Sequence, residues 1–163
     1  MTRPEELSQD NWEALLDAGP AIALAVAAAS GSGRQSEDEL GAFVETVSTG
    51  ALEADQETLA GRLITDLPGR LAGGWRPDKA DPLMDGLQAA RRAGAILAVA
   101  TEPHEADAIR GWLLESARTV AASAREGGVL GIGAEDVSEN ETETLRSIAD
   151  ALGVVDAGPP AAS

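Results

Sequence analysis

The only histidine, His104, lies in the run Thr101-Glu102-Pro103-His104-Glu105-Ala106-Asp107. An imidazole set among three carboxylates is a donor set that could hold a divalent metal ion. The spacing does not favour it. There is no H-x-x-x-H pair, and the Glu-x-x-His signature of di-iron bundles is absent. The same residues have a structural reading. Proline is welcome at the first position of a helix, and acids in the first turn offset the positive end of the helix dipole.

Nucleophilic catalysis finds little purchase. No G-x-S-x-G elbow occurs, and one histidine leaves one candidate base with no serine paired to it in sequence. Two carboxylates could perform acid/base chemistry, but nothing singles out a pair among 28 acids. A glycine-rich stretch, residues 127–133, invites a phosphate-binding reading. It lacks the Lys-Ser/Thr that such a loop needs, and Glu126, Glu135 and Asp136 beside it would repel a phosphate. Val129, Leu130 and Ile132 read better as loop side chains folded onto the core.

Two S-x-x-E boxes bear on cation binding: Ser36-Glu37-Asp38-Glu39 and Ser138-Glu139-Asn140-Glu141. As capping boxes they would consume Glu39 and Glu141 at helix starts. Glu37, Asp38, Glu135, Asp136 and Glu139 would remain free. Of these, Glu135, Asp136 and Glu139 are the candidate metal-binding residues. The loops lack the alternating acids of an EF-hand, so any divalent cation is expected to bind weakly.

These candidates have to be placed by helices. Apolar residues recur near every 3.6 positions, with no sustained alternation. Helix one is expected from Ser8 to about Ala29, capped by Ser8 and stapled by Leu7 onto Trp12, with Pro20 kinking or splitting it. Helix two opens at the Ser36 box and stops at Gly50. A third helix, capped by Asp55, carries Leu59, Leu63, Ile64 and Leu67 and ends before Pro68, leaving residues 68–82 as an irregular connector around Trp75. Helix four carries Leu83, Leu87, Ala90, Gly94 and Leu97, and its alanines favour helix over strand across residues 93–100. Helix five begins at Pro103 and carries Ile109, Trp112, Leu113 and Val120. Helix six opens at the Ser138 box and carries Leu145, Ile148 and Leu152. The fold class is therefore all-α, about six helices in a bundle, as one domain over residues 1–153 with a disordered tail over 154–163.

An internal echo links the two ends. Each end reads as a Trp-bearing helix, an Ala/Ser-rich close, a glycine loop, an S-E-[DN]-E cap and a short amphipathic helix. The two units could pack as pseudo-symmetric hairpins. The segment from Ala121-Ala122-Ser123-Ala124-Arg125-Glu126-Gly127-Gly128 through Val137-Ser138-Glu139-Asn140-Glu141 to Leu145 resembles the TerB-like (tellurite-resistance B) helical family. Ala29-Ser30-Gly31 with Ser36 and Glu39 is similar to a poorer copy of the same motif. The chain departs from the family pattern at the acid of its A-D-G turn, which is Ser30 in one copy and has Glu126 as its nearest equivalent in the other. The resemblance implies an all-helical fold and a non-enzymatic role in stress or metal-related complexes.

Composition narrows the partners. Among 163 residues, 12 bases face 28 acids, a formal net charge of −16, and Lys79 is the only lysine. Such a balance repels phosphate backbones and anionic headgroups, so neither nucleic-acid binding nor membrane insertion is expected. The longest apolar run, residues 18–29, is shorter than the roughly 20 residues that span a bilayer. No cysteine is present, which removes disulfides and thiolate chemistry. A cytoplasmic location is the expectation, since the acidic N-terminus is unlike a secretory leader. The leading expectation is an acidic helical interaction or accessory protein of the stress or metal-response type, binding a protein partner or itself. Two alternatives stay open: an enzyme with a carboxylate-lined pocket between helices, and an oligomer-forming or cargo domain recruited through its C-terminal tail. An exposed apolar patch, expected around Trp75, would favour the first.

Overall fold

Six helices follow one another in a computed structural model that describes residues 6–29, 33–73, 75, 81–126 and 139–154: α1 (Gln9–Ala29), α2 (Gly33–Glu53), α3 (Leu59–Ala72), α4 (Pro82–Ala100), α5 (Pro103–Glu126) and α6 (Glu139–Leu152). No strand occurs among the described residues. The fold is an all-α bundle.

The centre of the bundle is α1, which packs against all five other helices. Its composition follows from that position. A helix covered on every side has no polar face to present, so it is apolar nearly all round. Leu15, Ala18, Ala25, Val26 and Ala27 are completely enclosed. The same feature makes α1 long and apolar enough to cross a membrane by length and composition, although most of it is buried inside the bundle. Its start is set locally: the Ser8 hydroxyl accepts from the Asn11 N–H at 3.2 Å, and the Ser8 carbonyl accepts from Trp12. Leu7, just before the cap, is buried in the core cluster against which Trp12 packs.

Small residues let α4 approach its neighbours closely. A methyl group at Gly86 would lie 2.8 Å from the Ala21 carbonyl oxygen and would collide with the Ala25 side chain of α1. A methyl at Gly94 would lie 2.6 Å from the Ala151 carbonyl oxygen of α6. Gly86 therefore fixes α4 against α1, and Gly94 fixes it against α6.

Four helix ends differ from the expectation, and tertiary contacts explain two of them. Helix α2 begins at Gly33, so Ser36 lies inside its backbone and cannot hold the extended conformation an N-cap requires. The helix also runs through Gly50 to Glu53. Gly50 faces Ile64 of α3, where a methyl would sit 3.4 Å from its side chain. The glycine thus serves a close packing rather than a stop. Helix α3 runs through Pro68 to Ala72. Its last turn is held from outside. Arg70 donates two hydrogen bonds to the carboxylate of Asp17 on α1, at 2.7 and 2.9 Å, and Leu71 packs on the core. The Asp17 carboxylate raises the pKa of the Arg70 guanidinium above its already high value, chiefly through that hydrogen bond. Pro20 likewise sits inside α1, which remains one helix.

Two consequences are measurable. Arg70→Ala should cost about 1 kcal/mol, because the pair is geometrically good but a third exposed to solvent. Arg70→Lys should recover little of it, since a single ammonium cannot grip both oxygens. Equal denaturation midpoints for wild type and Arg70→Ala would refute this. The cap of α3 is Thr58 rather than Asp55: its hydroxyl accepts from the Gly61 N–H at 3.0 Å and donates to the Asp55 carbonyl at 2.9 Å. Thr58→Ala should therefore lower stability by about 1 kcal/mol in urea unfolding, and Asp55→Ala by less.

The other expected ends hold. Residues 93–100 are helical, α5 begins at Pro103, and α6 ends at Leu152. Gly153 closes α6 with φ of 78°. Its N–H donates to the Asp150 carbonyl, and the Val154 N–H donates to Ala149. This 6→1, 5→2 pairing is the Schellman arrangement, which favours glycine at that position. Arg110 of α5 adds a bond from Nε to the Leu152 carbonyl at 2.8 Å. Val154, assigned by sequence to the tail, packs on the core; residues 155–163 lie outside the described residues. The two echoing units are unequal: α1 and α2 have 21 residues each, whereas α5 has 24 and α6 has 14.

Candidate functional site

Side chains with metal-ligand chemistry converge at one place among the described residues, the N-terminus of α5. Ligand atoms of Glu102, His104 and Glu105 lie within 4.8 Å of one another. The His104 Nδ1 is 3.6 Å from the Glu102 carboxylate, with His104 largely exposed. Glu105 is only 6% exposed. The sequence spacing alone did not suggest this convergence. It arises because Glu102 stands just ahead of the first helical residue, with its carbonyl accepting from the Ala106 N–H, so the three side chains share the first turn. Both glutamates carry further interactions, so an ion would have to compete for them. The fourth residue of that run, Asp107, turns away and meets Arg110 at 3.3 Å. The group thus fits the first-turn electrostatic role as it stands.

The metal-binding residues expected from sequence are not brought together in the described part of the chain. Glu135 and Asp136 lie outside the described residues, as does Ser138. Glu139 is the first residue of α6, exposed, and joins no cluster of three metal-ligating groups among the described residues. Glu141 occupies the third helical position, where a capping-box glutamate belongs, and is 4% exposed.

Two surface grooves stand out among the described residues. One, of about 490 Å³, lies between α2 and α5 and is lined by small residues and hydroxyls with one carboxylate, Glu45. Two of those hydroxyls are already used: Thr119 donates to the Glu115 carbonyl and Ser123 to that of Val120. The other, of about 570 Å³, opens where the end of α1 meets the starts of α4 and α6. Leu83 and Leu87 of α4 and Ala28 and Ala29 of α1 form its apolar side, and Asn140, Glu143, Thr144 and Ser147 of α6 its polar side.

The helices build this second groove directly. Asp81 caps α4, accepting from the Met84 N–H at 3.1 Å, and Pro82 starts the helix. That cap starts the helix just ahead of Leu83, which lines the groove and is 40% exposed, and of Met84, which is 46% exposed. Because α4 touches α1 at Gly86 and α6 at Gly94, its first turn and a half overhangs the gap between them. Trp75, by contrast, is half-buried. Residues 74 and 76–80 around it lie outside the described residues; Leu83 and Met84 are an adjacent exposed apolar pair among the described ones. Leu52 and Val99, each 89% exposed, and Val44, 47% exposed, are the other large apolar side chains left to solvent among the described residues.

The electrostatics of the groove are one-sided. The last turn of α1, the negative end of its dipole, has no basic side chain. The positive ends of α4 and α6 each carry acids: Asp81 and Asp85, and Glu139 and Glu141. Among the described residues, no basic side chain lines the groove. Each of the two grooves has one carboxylate, so neither assembles the paired acids that general acid/base chemistry would use.

No protein-family model, curated protein or solved structure matches this chain.

Proposed function

We propose that the protein is a non-catalytic docking module that engages a protein partner through the groove between α1, α4 and α6. The observation that supports this reading is the groove itself. An open cleft of about 570 Å³ has two leucines on its wall, one of them 40% exposed, facing amide, hydroxyl and carboxylate side chains of α6. Exposed apolar surface rimmed by polar groups is the usual mark of an interaction site. An accessory role in stress or metal-related complexes is part of this proposal, and its support is the TerB-like motif in residues 121–145.

The test is site-specific photocrosslinking in the source cell with the full chain. A photoreactive phenylalanine analogue at position 83 should capture a discrete polypeptide, and the same analogue at Val99, which is more exposed still, should not. Absence of a product at position 83, or equal products at both positions, would overturn the docking reading. A product of twice the chain's own mass would place self-association in its stead.

A further inference from the structure

We propose that the occupant of the α1–α4–α6 groove is a basic amphipathic helix from another protein. This rests on the docking reading above and specifies its chemistry. The first argument is charge. Glu139 and Glu143 lie one helical turn apart on α6, so they share a face. Both are exposed, and neither forms an ion pair among the described residues. The last turn of α1, which carries no basic residue of its own, adds to the same negative potential. Lysine or arginine side chains on the occupant would meet these acids, while phosphate-bearing partners would be repelled. A second copy of this chain is the wrong complement, since its net charge is −16.

The second argument is shape. The described part of the protein offers no strand, hence no sheet edge for an extended peptide to extend. It offers a trough between helices, with apolar contacts from Leu83 and Leu87 spaced one turn apart. A helix presents its own apolar residues at the same spacing and needs no main-chain partners. Leucines at positions i and i+4 of the occupant would lie on the α4 wall, and its basic flank would run along α6.

The experiment uses the full chain and a labelled 14-residue Leu/Lys amphipathic helix, followed by fluorescence anisotropy at 150 mM salt. A sibling peptide with glutamate in place of every lysine is the control. The Leu/Lys peptide should bind and the Leu/Glu peptide should not. Leu83→Ser should weaken binding about tenfold, the scale of removing one partly buried leucine. The double change Glu139→Lys with Glu143→Lys should weaken it at least as much. Glu45→Lys, at the other groove, and Val99→Ser should leave it unchanged. All these positions are exposed, so circular dichroism should report an intact fold. Equal loss with Glu45→Lys, or no loss with Leu83→Ser, would reduce the binding to diffuse charge attraction and overturn the proposal. Absence of peptide binding combined with a crosslink at position 83 would overturn the basic-helix assignment alone. Failure of both would remove the docking reading with it.

Discussion

Gly86→Val should destabilise the protein by about 3 kcal/mol, at the upper end of what overpacking typically costs. In an exposed helix the same position would respond in the opposite sense, because glycine is about 1 kcal/mol worse than alanine and worse than most residues in a helix interior. The sign reverses because of what stands opposite. The Ala21 backbone oxygen is 2.8 Å from where a first side-chain carbon would sit, and the Ala25 methyl is closer still. A backbone carbonyl in the middle of α1 cannot rotate aside, so α4 as a whole would have to move. Gly111→Ala is the matched control. Nothing lies within 4 Å of its position on α5, so it should stabilise by up to about 1 kcal/mol. Thermal unfolding would resolve the two, with a fall of roughly 6–12 °C for Gly86→Val and a small rise for Gly111→Ala. Changes of the same sign would show that α1 and α4 do not meet as described. Because α4 walls the groove, Gly86→Val should also abolish crosslinking from position 83.

Phe43→Ala should cost about 3–5 kcal/mol. Phe43 is the chain's only phenylalanine and is 1% exposed. Its ring tip reaches the surface of Gly19 on α1, beside Leu67 of α3 and Trp112 of α5. Four helices therefore meet around one side chain. A core built mainly from alanine, valine and leucine has few long side chains able to collapse into the resulting void. The cavity term should accordingly be near its full size. Phe43→Leu, which retains much of the volume, should lose less than half as much. If Phe43→Ala and Phe43→Leu unfold at the same denaturant concentration, the packing described around Gly19 is wrong.

The parts of this fold legible in the sequence were those governed by local chemistry. Ser8 caps α1 and Pro103 opens α5 because a hydroxyl and a fixed φ act within a few bonds. The missed ends depend on residues far away. Pro68 looked like a terminus, but the following turn is anchored to Asp17, 53 residues earlier. Gly50 looked like a stop, but it makes room for Ile64. Ser36 had the spacing of a capping box, yet helical backbone begins three residues before it. The groove was less legible still. Its walls come from residues 28–29, 83–87 and 140–147, and no local motif relates three such segments.

The central position of α1 also governs how the chain can be made. This helix leaves the ribosome before the other five, yet α4, the helix against which it packs most extensively, is complete only at Ala100. At about 5–20 residues per second, the interval between the two is roughly 4–14 s. Throughout it, the most water-averse segment of the molecule has only α2 and α3 to cover it. Newly made chains are thus at their stickiest before they are finished. The burden of keeping them apart falls on whatever shields nascent polypeptides, and on the acidic residues that precede and follow α1 in order of synthesis.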